Sequence, residues 1–356
     1  MRPVVALRVF LAVAALAALV TGLMGGLARL GLIEPIGTFA DLHGALMASG
    51  FFGTLISLER AAADGRPAAL VVPGVSAVGA VLLWLDRPAD AGLMFLVAGL
   101  GLTALTARAA VALPRLFTIL MTVGAALWPI GTAYWLAGRT LPEVGYVWLG
   151  FLIVTVAAER IELSRLTRPT LAAEATLIAI VAAFAAALAL GEPWNGHVLL
   201  SLSLAALALW LLGQDIAVRT LRTVGFPRFA AVLLLTGYGW LAVAAAIFAF
   251  LTPGVATFGH DAAIHAIAVG FVLSMVFAHA PIILPAIVGL DVRYSPWLYG
   301  PAALLQLATV LRVTGDGLEN TEMTAHAACL SVVSLVLYVG LLMATRFVRC
   351  RKPATA

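Results

Sequence analysis

One pattern constrains this chain more than any other: apolar runs of about 20 residues recur from one end to the other. A helix of about 20 apolar residues spans the hydrocarbon core of a bilayer. Twelve spans are expected, near 6–30, 41–60, 68–85, 90–110, 115–137, 143–160, 171–191, 197–215, 229–251, 260–282, 296–312 and 323–346. The connections, such as "DRPAD", "AGRTLPE" and "RVTGDGLENTE", are short and rich in Gly, Pro and charge. They leave no room for a soluble domain, so 1–356 reads as a single transmembrane helical bundle of the all-α class. Only 11% of residues are charged, against about a quarter in soluble domains. The polar–apolar alternation of a membrane barrel is absent. The first run stays apolar to about Ile33, too long for a signal-peptide core, and reads as the first span.

Orientation follows from the basic residues. With a cytoplasmic N-terminus, 17 of the 21 Lys and Arg fall in inside segments, from Arg2 and Arg8 through Arg60, Arg160 and Arg293 to Lys352. Arg29, Arg87, Arg139 and Arg312 fall outside. This bias supports an even number of spans and both termini in the cytoplasm. It also accounts for the net charge of +4 without a nucleic-acid partner. Two cysteines, Cys329 and Cys350, read as free thiols. No phosphate-binding loop, nucleophile elbow or HExxH motif is present, and no residue is singled out as catalytic.

The histidines carry the chemistry. His43, His197, His260, His265 and His326 open even-numbered spans, which run from outside to inside, so all five belong to the outer side. Ionisable groups in spans are costly and usually face the bundle interior, and neutral imidazole ligates haem iron, copper and zinc. His43 and His265 lie inside apolar sequence, about 5 Å apart in depth, and are the candidate ligands of a shared cofactor. His197, near Trp194 and Asn195, reads as a hydrated interfacial residue. His260, beside Asp261 at a helix start, reads the same way, with metal ligation as the second reading. His326 suits either role. His279 lies fourteen residues beyond His265, roughly 21 Å lower. With Met275 one turn before it, it could hold a copper ion or serve as a helix–helix contact. Pro281 removes a backbone donor and frees a carbonyl near Phe277. Glu59–Arg60, Glu159–Arg160 and Asp215–Arg219 read as ion pairs at the inner ends of helices. "GLMGG" and "GFFG" read as close helix contacts without chemistry.

Two segments resemble the NnrS family of twelve-helix bacterial membrane proteins, which bind haem and copper and are linked to nitric-oxide metabolism. "HAIAVGFVLSMVFA", 265–278, resembles that family's H-A-x-x-V-G-x-x-x-[ST]-M signature. "HGALMASGF", 43–51, resembles its H-x-H-E-M-x-x-G-F segment, with Ala45 and Leu46 in place of the second His and the Glu. The resemblance implies haem on His43 and His265, and a nitric-oxide or electron-transfer role with a gaseous ligand or redox partner. The missing second histidine weakens the copper assignment. A looser similarity is to the core subunit of haem–copper oxidases. The copper histidines that subunit carries on its sixth and seventh helices have no counterpart here, so oxygen reduction is not expected. Two other readings remain: a transporter of small solutes or metal ions with histidines along its pathway, and a non-catalytic assembly subunit of a respiratory complex.

Overall fold

Without water to satisfy the backbone, a buried or lipid-facing apolar run must hydrogen-bond to itself, which selects the helix. The computed structural model describes residues 3–164, 170–190, 196–250, 257–290 and 292–345. Its regular elements are all helical, with no strand among the described residues. We number the long helices α1 (Pro3–Arg29), α2 (43–64), α3 (Pro67–Trp84), α4 (Pro88–Ala112), α5 (Leu116–Leu136), α6 (Leu141–Ser164), α7 (Leu171–Leu190), α8 (Gly196–Gln214), α9 (Phe226–Phe250), α10 (257–288), α11 (Tyr299–Gly317) and α12 (Thr321–Ala344). A short helix, Ala217–Thr220, joins α8 to α9.

Ten of these helices are long and apolar enough to cross a membrane. The other two, α2 and α11, carry Glu59, Arg60 and Asp64, and Arg312 and Asp316, respectively. Both pack among the ten. Large apolar side chains cover the outside, among them Phe10, Val111, Leu209 and Val336. In water such a surface would drive association; against lipid tails it is at ease. These apolar helices make the chain a multi-pass membrane protein. α6 sits at the centre, with 72% of its apolar window buried against 22% for α1.

The ends follow local chemistry. Pro88 opens α4, where a missing N–H costs nothing. The Asn320 side chain accepts from the Met323 N–H at 2.9 Å and caps α12. α10 runs past the expected end, through Pro281 and Pro285 to Val288. The Tyr338 hydroxyl donates to the Phe277 carbonyl, four residues before Pro281, and the two rings stack at 3.8 Å. The carbonyl that the proline frees thus has its donor, and the helix continues.

Two helices share an irregularity. α2 passes through a π-helical stretch at Leu46–Gly53 and α10 through one at Ala266–Leu273. Each follows a histidine, His43 or His265, by at most three residues. π-helical insertions are rare and concentrate at functional sites. In α2, the Ser76 hydroxyl reaches the Ser49 carbonyl at 3.2 Å, the Thr54 hydroxyl donates to Ser76, and the Trp128 indole donates to the Ser49 hydroxyl at 3.0 Å. In α10, the Ser274 hydroxyl bonds the Gly270 carbonyl at 2.6 Å, the Gln306 amide donates to Ser274, and the Trp240 indole donates to Gln306. Each wide turn is therefore pinned by a hydroxyl, an indole and a third helix.

Candidate cofactor site

His43 is positioned by α1. Its Nδ1 lies 2.6 Å from the Gly22 carbonyl oxygen. A carbonyl can only accept, so Nδ1 carries the proton and Nε2 keeps its lone pair. The ring lies over Gly26, where an added Cβ would stand 3.0 Å from Cε1. The glycines of "GLMGG" thus form the seat of a histidine as well as a helix contact. His265 reaches the same state within its own helix: its Nδ1 donates to the Asp261 carbonyl at 2.8 Å. Among the described residues, neither Nε2 has a hydrogen-bond partner. Metal-ligating histidines are held in this way, with the second nitrogen donating to a carbonyl that fixes tautomer and ring orientation.

Both rings line one cavity of about 370 Å³, bounded by α1, α2, α6, α10, α11 and α12. That is within the usual range for small-molecule and cofactor sites. Its walls are mostly apolar, with Leu23, Met47, Phe52, Leu149 and Leu335 among them. Its polar groups are His43, His260, His265, Asp261, Arg29, Arg312, Thr309 and Ser331. His260 Nδ1 pairs with the Tyr146 hydroxyl, and the two rings meet edge-on at 5.1 Å. Arg312 is buried. Its Nη2 donates to Asp261 and its Nε to Asp316, both at 3.0 Å, and Thr324 donates to the other oxygen of Asp316 at 3.2 Å. This network fastens the start of α10 to α11 and α12, and so sets the height of His265.

The remaining candidates lie elsewhere. His326 is exposed on α12, outside the cavity lining. His197 is half-buried at the start of α8; its neighbours Trp194 and Asn195 lie outside the described residues. His279 is at the opposite end of α10. Its Nδ1 donates to the Met275 carbonyl at 2.7 Å, and its Nε2 accepts from Arg160 at 3.1 Å. Neither nitrogen is open to a metal in this arrangement, and Met275 is packed against Gly237. The Arg160 contact joins α10 to α6. Cys329 is exposed on α12, and Cys350 lies outside the described residues.

The ion pairs at that end differ from the expected ones. Asp215 does not pair with Arg219, which is exposed. It binds Arg160 of α6 through two contacts, at 2.7 and 3.0 Å, and accepts from Tyr238 and from the Ala217 backbone. Asp215 lies where α8 ends, so its carboxylate turns inward; burial then requires the full set of donors it receives. Arg60 contacts Glu59 and reaches across to Glu159 of α6 at 3.7 Å.

Among the described residues, no group of three or more His, Cys, Asp or Glu side chains converges as a metal cage. A metal held by His43 and His265 would take any further ligands from a cofactor, from water or from backbone carbonyls; a porphyrin would supply four nitrogens. Two preset imidazole lone pairs and an apolar, cofactor-sized cavity fit that group.

The fold and the cavity define a class: a helical, multi-pass membrane protein with an intramembrane histidine-lined chamber. The chain belongs to the family described as "Domain of unknown function (DUF8744)", whose model matches residues 8–347. No curated protein and no solved structure matches it.

Proposed function

We propose that this chain is a twelve-span protein of a bacterial inner membrane, with both termini cytoplasmic, that holds haem near the outer side through His43 and His265. The observation that carries the reading is the shared state of the two imidazoles. Each is locked by an Nδ1–H to carbonyl bond, and both line the same apolar cavity. The resemblance of 43–51 and 265–278 to NnrS segments supports it independently. Bound haem would supply an iron centre for electron transfer or for a gaseous ligand such as nitric oxide. The protein supplies the ligands, a largely apolar chamber and the polar fastening of α10 that keeps His265 in place. Copper has weaker support, because His279 is engaged at both nitrogens.

The test is an absorption spectrum of the protein purified after expression with ample haem, alongside His43→Ala and His265→Ala. A Soret band in the parent that is lost or shifted in both variants is expected. A colourless parent that takes up a solute or metal ion in liposomes would replace this reading with transport. A colourless protein that co-purifies with respiratory subunits would replace it with an assembly role.

A further inference from the structure

Four arginines fall on the outer side against the usual distribution of positive charge: Arg29, Arg87, Arg139 and Arg312. Two have local explanations. Arg87 pairs with Asp90 at 2.7 Å and Arg139 with Glu143 at 3.2 Å, both at exposed helix starts. The other two line the cavity. Arg312 is committed on one side to Asp261 and Asp316, while its Nη1 has no partner among the described residues. Arg29 stands exposed at the last turn of α1, with no hydrogen bond or ion pair among the described residues. The carboxylate in the lining is Asp261, already held by Arg312. The cavity wall thus carries two guanidiniums against one carboxylate, and one guanidinium is unclaimed.

Resting on the cofactor reading above, we propose that Arg29, with the free edge of Arg312, is a carboxylate-binding pair that fixes the acidic edge of the bound group at the mouth of the cavity. A guanidinium presents paired N–H donors that match a carboxylate, and such charge-assisted bonds are stronger than neutral ones. Binding the acid groups at this end leaves the rest of a planar ligand against the apolar walls. The ligand class is a porphyrin dicarboxylate; a neutral porphyrin would lack half of its recognition.

The test titrates the haem-free full chain in detergent with ferric haem and, separately, with its dimethyl ester, reading Soret growth and tryptophan quenching. The parent is expected to bind the acid about tenfold or more tightly than the ester. In Arg29→Gln that preference should fall several-fold through weaker binding of the acid alone. Arg87→Gln, which alters an outside arginine away from the cavity, should keep the preference. Equal binding of acid and ester by the parent, or an unchanged preference in Arg29→Gln, would overturn the carboxylate pair and leave the histidine site standing. Failure of the parent to bind either form would remove both.

Discussion

Gly26 lies directly beneath the His43 ring: a Cβ added there would meet Cε1 at 3.0 Å and Nδ1 at 3.1 Å. The same ring is tethered to Gly22, one turn earlier on α1, at 2.6 Å. The imidazole is therefore clamped between a carbonyl and a missing side chain. A methyl group would press on the ring, and a branched side chain would expel it from this position. Gly26→Val is expected to reduce haem affinity by about tenfold or more, since about 1.4 kcal/mol of misplacement is enough. Helix content should be kept. Spectral titration alongside circular dichroism checks this; undiminished affinity in a folded variant would show that the seat does not matter.

The histidines differ sharply in what their loss should do. His326 is exposed on α12 and does not line the cavity, so His326→Ala should leave any haem spectrum unchanged. His279 accepts from Arg160 and donates to the Met275 carbonyl. His279→Ala should also keep the spectrum but lower stability by about 1–3 kcal/mol, because a buried charged donor loses its acceptor. Thermal unfolding in detergent, followed beside the absorption spectrum, separates the two effects. A lost Soret band in either variant would contradict the placement of the site.

Arg160 and Asp215 form the most buried ion pair described, with side chains 5% and 0% exposed. Removing one member leaves an uncompensated charge, which costs about 3–5 kcal/mol. Arg160→Met should therefore unfold far more readily than the parent. Arg160→Met combined with Asp215→Leu should recover part of that loss, since neither charge is then stranded. A double variant no better than the single one would mean that packing, rather than charge, dominates there.

Most of the helical layout could be read from apolar run length alone, because a lipid-facing chain has few alternatives to the helix. The expected bounds of α3 to α9 agree with the structure to within a few residues. Interactions between distant segments could not be read this way. Asp215 and Arg219 have ideal same-face spacing, yet Asp215 pairs with Arg160, 55 positions away. The end of α8 turns its carboxylate inward, and local spacing carries no trace of that. The freed Phe277 carbonyl was foreseeable from Pro281, whereas its donor, Tyr338, was not. His43 and His265 stood out as histidines in apolar sequence, but Arg312 and Asp261 did not, since both sit near helix ends where charge is ordinary. The one available signal for Arg312 and Arg29 was their position on the wrong side of the charge bias.

The two π-helical stretches give the last prediction. A wide turn leaves backbone carbonyls without their regular partners, and side chains must supply donors. In α10, Gln306 of α11 holds Ser274 at 2.9 Å while accepting from Trp240 at 2.7 Å. The Trp240 ring in turn fills the space over Gly270, where a Cβ would collide with it. Gln306→Leu removes the central link and leaves the indole N–H without its acceptor, a cost of about 1–3 kcal/mol. The stretch begins one residue after His265, so a shift in its register would also turn that ring. Gln306→Leu should thus lose both stability and haem affinity. Ser76→Ala, the corresponding change beside α2, should lose stability with a smaller effect on affinity, because His43 is separately tethered to Gly22. Paired unfolding and titration measurements decide this. Equal affinity losses in the two variants would show that the α1 clamp does not insulate His43 from the turn that follows it.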